Sequence, residues 1–473
     1  MAPQAMLVGN CLPPLSLAVN RNQWSLKRFP PIETGARHLP DPCFTIRSHP
    51  SSHGSQPVEW PAEGVHMKKV LIVGAGAQGN VVGWVLSKAP EIGRVVLADL
   101  DVRRAEETAR SLGGDTIRTE RVDVTKVEET TGLMRRGGYD LVVNVAPPQF
   151  IPQVMKAALD ADINYLDLSS VSLYETDSLP IEQLRFADRW KASGHTALIN
   201  GGSAPGLTNI MAREGADLLD EVDRIEIKDY TATECDEYLP LWILQVYVID
   251  CATEPYIWDD GRPKKVPIFS GEEVYDFPPP VGLPAKVYLH AHEEPVTIPL
   301  YVGKPVRYCD YKIGEPDIDA WRFIVERLGM MEEKEIEVRG VRVRPRDVLL
   351  RMLPATPSPQ RVADLSARGR LKGRSMQTCD VKGLKNGRPT HIRLWTESPD
   401  LAGACRLIPG ASDVSLATSV PAAVFSLMVL RGQIRGPGLV LPETLGREER
   451  DIFHKGIAEY GIFIRRRIEG GAA

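Results

Sequence analysis

Short runs of consecutive hydrophobic residues alternate with helical segments along residues 67–200. The first runs cover residues 70–73, 94–98 and 141–143. Uninterrupted apolar runs of this length are typical of strands that are buried on both faces of a parallel sheet. The segments between them have the length and composition of helices that pack on such a sheet. The pattern therefore predicts an α/β fold built on a doubly wound parallel sheet.

A glycine-rich turn follows the first run. Gly74, Gly76 and Gly79 have the spacing G-x-G-x-x-G between the predicted strand and a predicted helix. In a Rossmann fold the first glycine permits the tight turn, the second admits a pyrophosphate, and the third lets helix and strand pack closely. Ala77 and Gln78 lie between the glycines, where backbone N–H groups would face the phosphates. We predict that these five residues bind a dinucleotide, with an unliganded structural turn as the alternative.

Acidic residues at the ends of the next strands extend this site. Asp99 lies twenty residues beyond the last glycine, where a carboxylate can accept a hydrogen bond from the adenosine ribose. Asp123 and Val124 end the third strand, near the expected position of adenine. Asp99 favours NAD, because a carboxylate repels the 2′-phosphate of NADP. Arg103 and Arg104 follow closely, so NADP remains the alternative cofactor.

Two further segments are candidates for the other end of the cofactor and for the substrate. Ala146, Pro147 and Pro148 end the fourth strand, where doubly wound sheets bind ligands. Because prolines fix the backbone, they could form a rigid wall beside the nicotinamide ribose, although a simple strand terminator explains them equally well. Ser169 ends the fifth strand, and we predict that it contacts substrate. From the loop over residues 201–209, substrate contacts are predicted for three residues: Pro205, Gly206 and Asn209.

The pattern changes after residue 220. Alternation of apolar and polar residues over 222–230 is typical of a sheet with one exposed face. We therefore predict that the nucleotide-binding domain covers residues 67–220 and that a second, α+β domain with a mixed sheet covers 221–415. Residues 416–473 are predicted to be helices that pack back on the first domain. Predicted elements beyond residue 260 include strands over 267–269, 287–289, 335–343 and 389–394, helices over 318–328 and 346–352, and a helix over 419–432 with Pro421 in its first turn.

The first 66 residues differ from the rest of the chain. They are rich in Pro, Ser and His and show no helical or strand period, so we predict a disordered extension. The first 32 residues contain three basic residues and no acid, which also admits an organelle-targeting segment. We favour the interpretation that Met67 is the true start.

Composition excludes several classes of protein. The chain has 473 residues, a hydrophobic content of 43%, a charged content of 25% and a formal charge of −5. This charge argues against a nucleic-acid partner, and no uninterrupted apolar run reaches the roughly 18 residues of a membrane span. The seven cysteines are scattered and contain no Cys-x-x-Cys pair. We therefore expect a cytoplasmic protein without a metal site.

Taken together, these stretches resemble the saccharopine dehydrogenase family. The resemblance covers residues 67–473, and its segments are 70–79, 144–148, 201–209, 290–299 (HAHEEPVTIP) and 438–446 (GLVLPETLG). It implies a Rossmann domain facing an α+β domain, in a homodimer. It also implies hydride transfer between a pyridine nucleotide and the CH–NH or CH–NH₂ bond of an amino acid or amine, through an imine that water hydrolyses.

The acid–base residues are less clearly marked. Asp167 ends the fifth strand and His290 lies in the HAHEEPVTIP segment, and we predict that these two are catalytic. His292 is the neighbouring candidate, and an acidic stretch over residues 234–237 could bind an amino group. A capped strand end, a packing histidine and a solvated loop are the structural alternatives.

Two other functions remain open at this point. A transferase resembling homospermidine synthases would use NAD as a recycled oxidant. A non-catalytic nucleotide-binding protein would keep the fold without the chemistry. Saccharopine, lysine, a carboxylated polyamine and an opine all remain candidate substrates.

Overall fold

The computed structural model describes residues 67–170 and 179–470. The predicted extension over residues 1–66 lies outside these residues. The strands of the described part are β1 (Lys68–Val73), β2 (Ile92–Asp99), β3 (Ile117–Arg121), β4 (Leu141–Asn144), β5 (Asn164–Asp167), β6 (Thr196–Leu198), β7 (Glu221–Cys235), β8 (Tyr256–Asp259), β9 (Arg262–Lys265), β10 (Glu273–Asp276), β11 (Pro284–Leu289), β12 (Val306–Gly314), β13 (Ile336–Val338), β14 (Val341–Val343), β15 (Leu371–Lys385), β16 (Arg388–Glu397), β17 (Gly438–Val440) and β18 (Phe463–Glu469).

Helices connect and cover these strands. They are α1 (Ala77–Lys88), α2 (Val102–Leu112), α3 (Val127–Gly137), α4 (Ile151–Asp160), α5 (Ala187–Ser193), α6 (Leu207–Leu218), α7 (Leu244–Cys251), α8 (Glu294–Tyr301), α9 (Ile318–Arg322), α10 (Pro345–Met352), α11 (Pro359–Ala367), α12 (Leu401–Leu407), α13 (Asp413–Leu430) and α14 (Arg447–Ala458). Short 3₁₀ turns cover Pro148–Phe150, Glu182–Phe186 and Pro442–Thr444, and α9 continues as a π-helical turn over Phe323–Arg327.

The first sheet is parallel throughout and has the order β17-β6-β5-β4-β1-β2-β3. Apart from β17 this is the strand order of the dinucleotide-binding fold, with β1 and β4 adjacent where the order reverses. The predicted doubly wound sheet is thus confirmed. Alternate residues of β1 pack on opposite layers: Val70 and Ile72 face the core that contains α1 and α13, and Leu71 and Val73 face the core that contains α3, α4 and α5.

The second sheet has the order β10-β11-β12-β7-β15-β16-β18, with β8 and β9 paired beside β12. The pairing of β12 with β7 is parallel and the other pairings in this sheet are antiparallel, so the predicted mixed sheet is confirmed. One face packs its apolar side chains on α6 and α8. The other face buries charge: Lys228 lies 3.7 Å from Asp380, and Lys312 lies 3.0 Å from Glu273.

Several predicted elements are wrong. Residues 335–343 form a hairpin of β13 and β14 rather than one strand. The segment predicted as helices over 416–473 also contains β17, which joins the first sheet, and β18, which pairs with β16 of the second sheet. Residues 267–269 form a turn rather than a strand, because Phe269 has φ = +51°, which a strand does not allow. The neighbouring strand is β9. The helix predicted over 419–432 begins at Asp413, because Ser412 caps it: the Ser412 hydroxyl accepts from the Ser415 backbone N–H at 3.0 Å. Pro421 therefore lies inside the helix rather than in its first turn.

Helix α13 is also the one helix, among the described residues, that is long and apolar enough by composition to cross a bilayer. Most of its side chains are buried against the first sheet and the neighbouring helices. A central core helix has the same composition, so this length and hydropathy are weak evidence for a membrane span.

Candidate functional site

The three glycines of the turn after β1 differ in what surrounds them. Gly74 has φ = +107°, and a Cβ on it would lie 2.9 Å from the Val145 carbonyl oxygen. A Cβ on Gly79 would lie 2.1 Å from the Gly74 carbonyl oxygen, so this glycine permits the close contact between strand and helix. A Cβ on Gly76 would meet nothing within 4 Å. The open space at the second glycine is where a pyrophosphate approaches the backbone, so the turn fits a dinucleotide.

Asp99 is joined to this turn. Its carboxylate accepts from the Ala75 backbone N–H at 2.9 Å and from the Asp101 backbone N–H at 2.9 Å. Both bonds hold the side chain beside the glycine turn, where the ribose of a bound dinucleotide would lie. Asp123 follows β3 at the same sheet edge, where its carboxylate accepts from Thr125 Oγ1 at 2.6 Å, and Val124 is half-buried beside it.

Gln78 and Ala77 form the first turn of α1 and are half-buried. The Gln78 side chain is already engaged, since its Oε1 accepts from the hydroxyl of Ser419 on α13. Asn80 is tied to the same C-terminal region, because its Nδ2 donates to the Pro409 carbonyl at 2.9 Å. The C-terminal helices therefore brace the first helix of the nucleotide site.

The segment after β4 lies next to the glycine turn, as the contact of Gly74 with Val145 shows. Asn144 Oδ1 accepts from the Ala146 backbone N–H at 3.2 Å, and Asn144 Nδ2 donates to the Tyr165 hydroxyl at 3.1 Å. Pro147 is extended and Pro148 opens a 3₁₀ turn; both are half-buried. The predicted cofactor-binding residues thus lie along one edge of the sheet, at the point where the strand order reverses.

Asp167 is fully buried at the end of β5. Its carboxylate accepts from the Asn200 backbone N–H at 2.9 Å and from Gln183 Nε2 at 3.3 Å. Burial raises the pKa of Asp167 to about 7, against these hydrogen bonds, which lower it. Gln183 Nε2 also donates to the carbonyl of half-buried Ser169 at 2.9 Å. Asp167 therefore organises the strand end on which Ser169 lies.

The loop before α6 is held from inside. The Ala204–Pro205 peptide is cis, and Gly206 has φ = +135° with the Gly202 carbonyl 2.0 Å from where a Cβ would lie. Asn209 Oδ1 accepts from the Gly206 backbone N–H at 2.8 Å, and Asn209 Nδ2 donates to Glu443 Oε2 at 3.0 Å. Pro205, Gly206 and Asn209 are all buried. The structure gives them a supporting role in the loop, and their contact with substrate stays a prediction.

A histidine and two glutamates from the second domain reach this strand edge. His292 Nδ1 lies 2.5 Å from Glu294 Oε2 and 3.3 Å from Glu293 Oε2. Its ring stacks on Tyr311 with centroids 3.9 Å apart. Burial opposes the imidazolium, but the charges of Glu294 and Glu293 prevail and raise the pKa of His292 to about 10. The side chain keeps 19% of its surface exposed, so this cation is accessible.

The same glutamates connect the two sheets. Glu293 Oε1 accepts from the Ser170 backbone N–H at 2.6 Å, and Glu294 Oε1 accepts from the Thr208 hydroxyl at 2.7 Å. The two residues after His292 are therefore tied to Ser170, which follows β5, and to Thr208 at the start of α6, which are 123 and 86 residues away from them in sequence. The spacing of residues within a motif does not predict contacts between segments so far apart in sequence.

His290 is the histidine that the sequence predicts to be catalytic. In the structure its ring lies next to that of His292, 6.5 Å away between centroids. It is buried and stacks on Tyr247 with centroids 5.7 Å apart. Burial, together with the charge of His292, lowers the pKa of His290 to about 3, so its ring is neutral near pH 7. The prediction for His290 stays untested, and the geometry favours His292 as the group that exchanges protons. The three consecutive ionisable residues His292, Glu293 and Glu294 are the signal in the sequence that could have indicated this.

Half-buried carboxylates surround His292, and sequence reasoning missed them. Asp229 accepts from the Tyr311 hydroxyl at 3.2 Å, and burial raises its pKa to about 6. Asp250 is close enough to His292 and Glu293 to respond to their charges, and burial raises its pKa to about 8. Within residues 67–170 and 179–470, neither carboxylate forms an ion pair with a lysine or arginine, as the ion pairs of this region show. Carboxyl groups therefore outnumber the basic groups at this site.

The acidic stretch over residues 234–237 lies elsewhere and is neutralised. Asp236 pairs with Arg370 at 2.7 Å and Glu237 with Arg361 at 2.5 Å, both at the surface. These pairs support the solvated-loop alternative for the stretch.

Comparison with known proteins shows what the chain resembles. Residues 70–198 match the family described as the saccharopine dehydrogenase NADP binding domain. The chain is thus similar to the saccharopine dehydrogenase family over its first domain. It is 24% identical over 399 residues to carboxyaminopropylagmatine dehydrogenase from Synechocystis sp., an alignment that covers 84% of this chain and 96% of that protein. It is 26% identical over 398 residues to carboxynorspermidine synthase from Vibrio cholerae, covering 80% of this chain and 92% of that protein.

Solved structures agree on the fold. Saccharopine dehydrogenase (L-Glu forming) from Saccharomyces cerevisiae superposes with a TM-score of 0.60 at 16% identity, covering 85% of this chain and 100% of that one. Homospermidine synthase from Legionella pneumophila, determined in complex with NAD, gives a TM-score of 0.56 at 13% identity, covering 85% and 91%. The family match thus gives residues 70–198 the character of an NAD(P)-binding domain, and the relatives that align over most of the chain are a dehydrogenase and a synthase.

Proposed function

We propose that the enzyme acts on a secondary-amine bond of a carboxylated polyamine or carboxylated guanidino-amine, in the reductive direction. The observation that carries this proposal is the set of carboxylates around His292, of which Asp229 and Asp250 pair with no lysine or arginine of the described residues and share His292 as their neighbouring cation. Leaving a carboxylate half-buried without a counter-ion is unfavourable, and a cationic substrate would supply the missing charge. The names of the two relatives, which contain agmatine and norspermidine, support the same substrate class.

Different residues of the chain would bind the cofactor and act on the substrate. When bound, NAD(P)H supplies a hydride to the carbon of the carbon–nitrogen double bond. The space at Gly76 would hold the pyrophosphate, and Asp99 would accept from a ribose hydroxyl. The Asn144–Ala146 hydrogen bond keeps the Pro147 segment in place beside the glycine turn. These contacts would orient the nicotinamide towards the end of β5.

His292 is the group that we assign to proton transfer. An amine, an aldehyde, a hydride and one proton give a secondary amine and water. The proton is needed when the hydroxyl of the amine–aldehyde adduct leaves as water. His292 holds a proton, and Glu294 fixes its Nδ1 side, so Nε2 is the nitrogen that can donate. Asp167 acts as a positioning residue, since its carboxylate is fully buried in hydrogen bonds to neighbouring groups.

Absorbance of reduced nicotinamide tests the proposal. The purified enzyme is given NADH or NADPH, aspartate semialdehyde and, in separate reactions, agmatine, diaminopropane, putrescine or lysine. We expect oxidation of the cofactor with an amine that carries a second positive group, and a product whose mass equals amine plus aldehyde less water plus two hydrogens. Cofactor oxidation only with a 2-oxo acid, or with lysine alone, would contradict the substrate class. Product without net change in NAD would instead indicate a transferase, and cofactor binding without turnover would indicate a non-catalytic protein.

Asp99 leads us to propose NAD as the preferred cofactor. Arg103, which could bind a 2′-phosphate, is 3.5 Å from Asp101 and largely exposed. The comparison of NADH with NADPH in the same assay decides between them.

A further inference from the structure

A continuous row of ring contacts leads away from His292; we call it the aromatic row, and it consists of His290, Tyr247, Trp321 and Tyr238. His290 lies 6.5 Å from His292 and 5.7 Å from Tyr247 between ring centroids. Tyr247 contacts Trp321 edge-on at 6.1 Å, and Trp321 contacts Tyr238 at 6.4 Å. His290 and Trp321 are each 6% exposed, Tyr247 is half-buried, and Tyr238 at the end of the row is 54% exposed.

One carboxylate lies against this row. Glu315 follows the last residue of β12, and its Oε1 accepts from the Tyr247 hydroxyl at 2.5 Å. Its charge also acts on the Tyr238 hydroxyl, whose pKa rises to about 12 mainly through burial. Glu315 is half-buried, and no lysine or arginine of the described residues is paired with it, whereas nearby Asp319 pairs with Lys286 at 2.7 Å. Glu315 has no part in the proton transfer assigned to His292.

We propose that Glu315, with the rings of Tyr247 and Tyr238, binds the distal cationic group of the substrate, an ammonium or a guanidinium. The proposal rests on the proposed function, because it gives the far end of the same substrate its binding group. A carboxylate beside aromatic rings offers a cation two favourable interactions. The carboxylate forms an ion pair with it, and the negative face of the ring forms a cation–π contact. Two ring contacts of about 6 Å each separate His292 from Tyr247, a distance that a short diamine or agmatine chain can bridge.

The arrangement also explains how the two ends would be distinguished. The carboxylates beside His292 bind the nitrogen that reacts, at the edge of the nucleotide-binding sheet. Glu315 lies on the second domain only, near α9 and away from the glycine turn. An amine that lacks the distal charge can still reach His292, but it leaves Glu315 without a partner. Selection for a second cation thus depends on Glu315.

Glu315→Gln tests this inference, with Glu254→Gln as the matched control on an exposed surface of the same domain. The KM for the amine is measured for agmatine, putrescine and n-butylamine, with saturating aspartate semialdehyde and reduced cofactor. Because loss of a charged hydrogen bond typically weakens binding at least tenfold, we expect the KM for agmatine and putrescine to rise about tenfold or more. The kcat should change less than about twofold, and the KM for n-butylamine should stay constant.

Equal rises in KM for butylamine and agmatine, or no rise for any amine, would overturn the subsite. A stronger effect on agmatine than on putrescine would assign the subsite to a guanidinium, and the reverse to an ammonium. If Glu315→Gln does not fold, Tyr238→Ala removes an exposed ring and should raise the KM for the two cationic amines alone. If the wild-type enzyme turns over none of these amines, the proposed function fails; calorimetric titration of agmatine and butylamine into the NAD⁺-loaded enzyme and its variant then decides the subsite separately.

Discussion

The second and third glycines of the turn should separate cofactor binding from stability. In Gly76→Ala the new Cβ meets nothing within 4 Å, and the residue has φ = −80°, which alanine adopts freely. Replacing glycine at such a position commonly stabilises a protein by about 0.4–1 kcal/mol. Without nucleotide, the variant should therefore be as stable as the wild type or slightly more stable. A bound pyrophosphate, however, would contact the added methyl group.

The size of the binding loss follows from packing. Inserting a methyl group into a filled contact costs about 1–3 kcal/mol, and about 1.4 kcal/mol is a factor of ten in affinity. Gly76→Ala should therefore bind NAD⁺ and NADP⁺ roughly ten to a hundred times more weakly. In Gly79→Ala the Cβ would lie 2.1 Å from a backbone oxygen, so strand and helix must separate. This variant should lose about 1–3 kcal/mol or more of unfolding free energy even without nucleotide.

Urea denaturation of the nucleotide-free proteins and calorimetric titration with each nucleotide measure the two effects. Gly132→Ala, within α3, is the control, because only the flexible end of Arg136 lies close to its new Cβ. It should change neither measurement adversely. If Gly76→Ala unfolded as easily as Gly79→Ala, or bound both nucleotides like the wild type, the turn would not be the pyrophosphate site.

Four further substitutions test other parts of the structure. Asp99→Ser should raise the ratio of NADP⁺ to NAD⁺ affinity, measured by the same titration, and an unchanged ratio would contradict its contact with the ribose. His292→Asn should lower kcat about a hundredfold or more, whereas His290→Asn should retain most of it; equal losses would remove the distinction between the two rings. Asp413 is buried, which raises its pKa to about 7 from 3.8. The folded state thus favours its protonated form and loses stability as the pH rises from about 4 to 7. Asp413→Asn should therefore gain stability over the wild type above pH 7, by at most about 4 kcal/mol, and gain nothing below pH 4, as urea denaturation across pH would show.

Local sequence patterns predict most strands of the first sheet, because these strands are marked by residues that are neighbours in the sequence. Strands β1, β2 and β4 each contain a continuous apolar run, and the glycine spacing marks the turn that follows β1. Strand β17 (Gly438–Val440) was not predicted, because the Gly-Pro-Gly sequence over 436–438 indicates a turn. Only the pairing with β6 makes these three residues a strand. Strand β15 was missed because polar and charged residues interrupt it, and its neighbours bury them as ion pairs.

The site was predicted less completely, for a related reason. Cofactor residues follow strand ends, so a sequence read in order finds them. The substrate side depends on contacts between distant segments, such as Ser170 with Glu293 and Tyr311 with Asp229. The sequence prediction named His290 as catalytic and His292 only as its neighbouring candidate. Only the structure shows that one ring is buried and neutral while the other is held beside two glutamates.

The excess of carboxylates explains both the difficulty and the proposed selectivity of this site. A residue such as Asp229 or Glu315 looks in sequence like any surface acid in an alternating strand or at its end. Its significance arises because folding removes it from water without providing a lysine or arginine, so its pKa rises to about 6 or 7. A bound cation offsets the unfavourable free energy of burying such a carboxylate, because the ion pair forms where water no longer screens it. An enzyme that carries several such groups in one place therefore binds a polycationic amine better than a neutral one, and the same groups lower the stability of the unliganded protein.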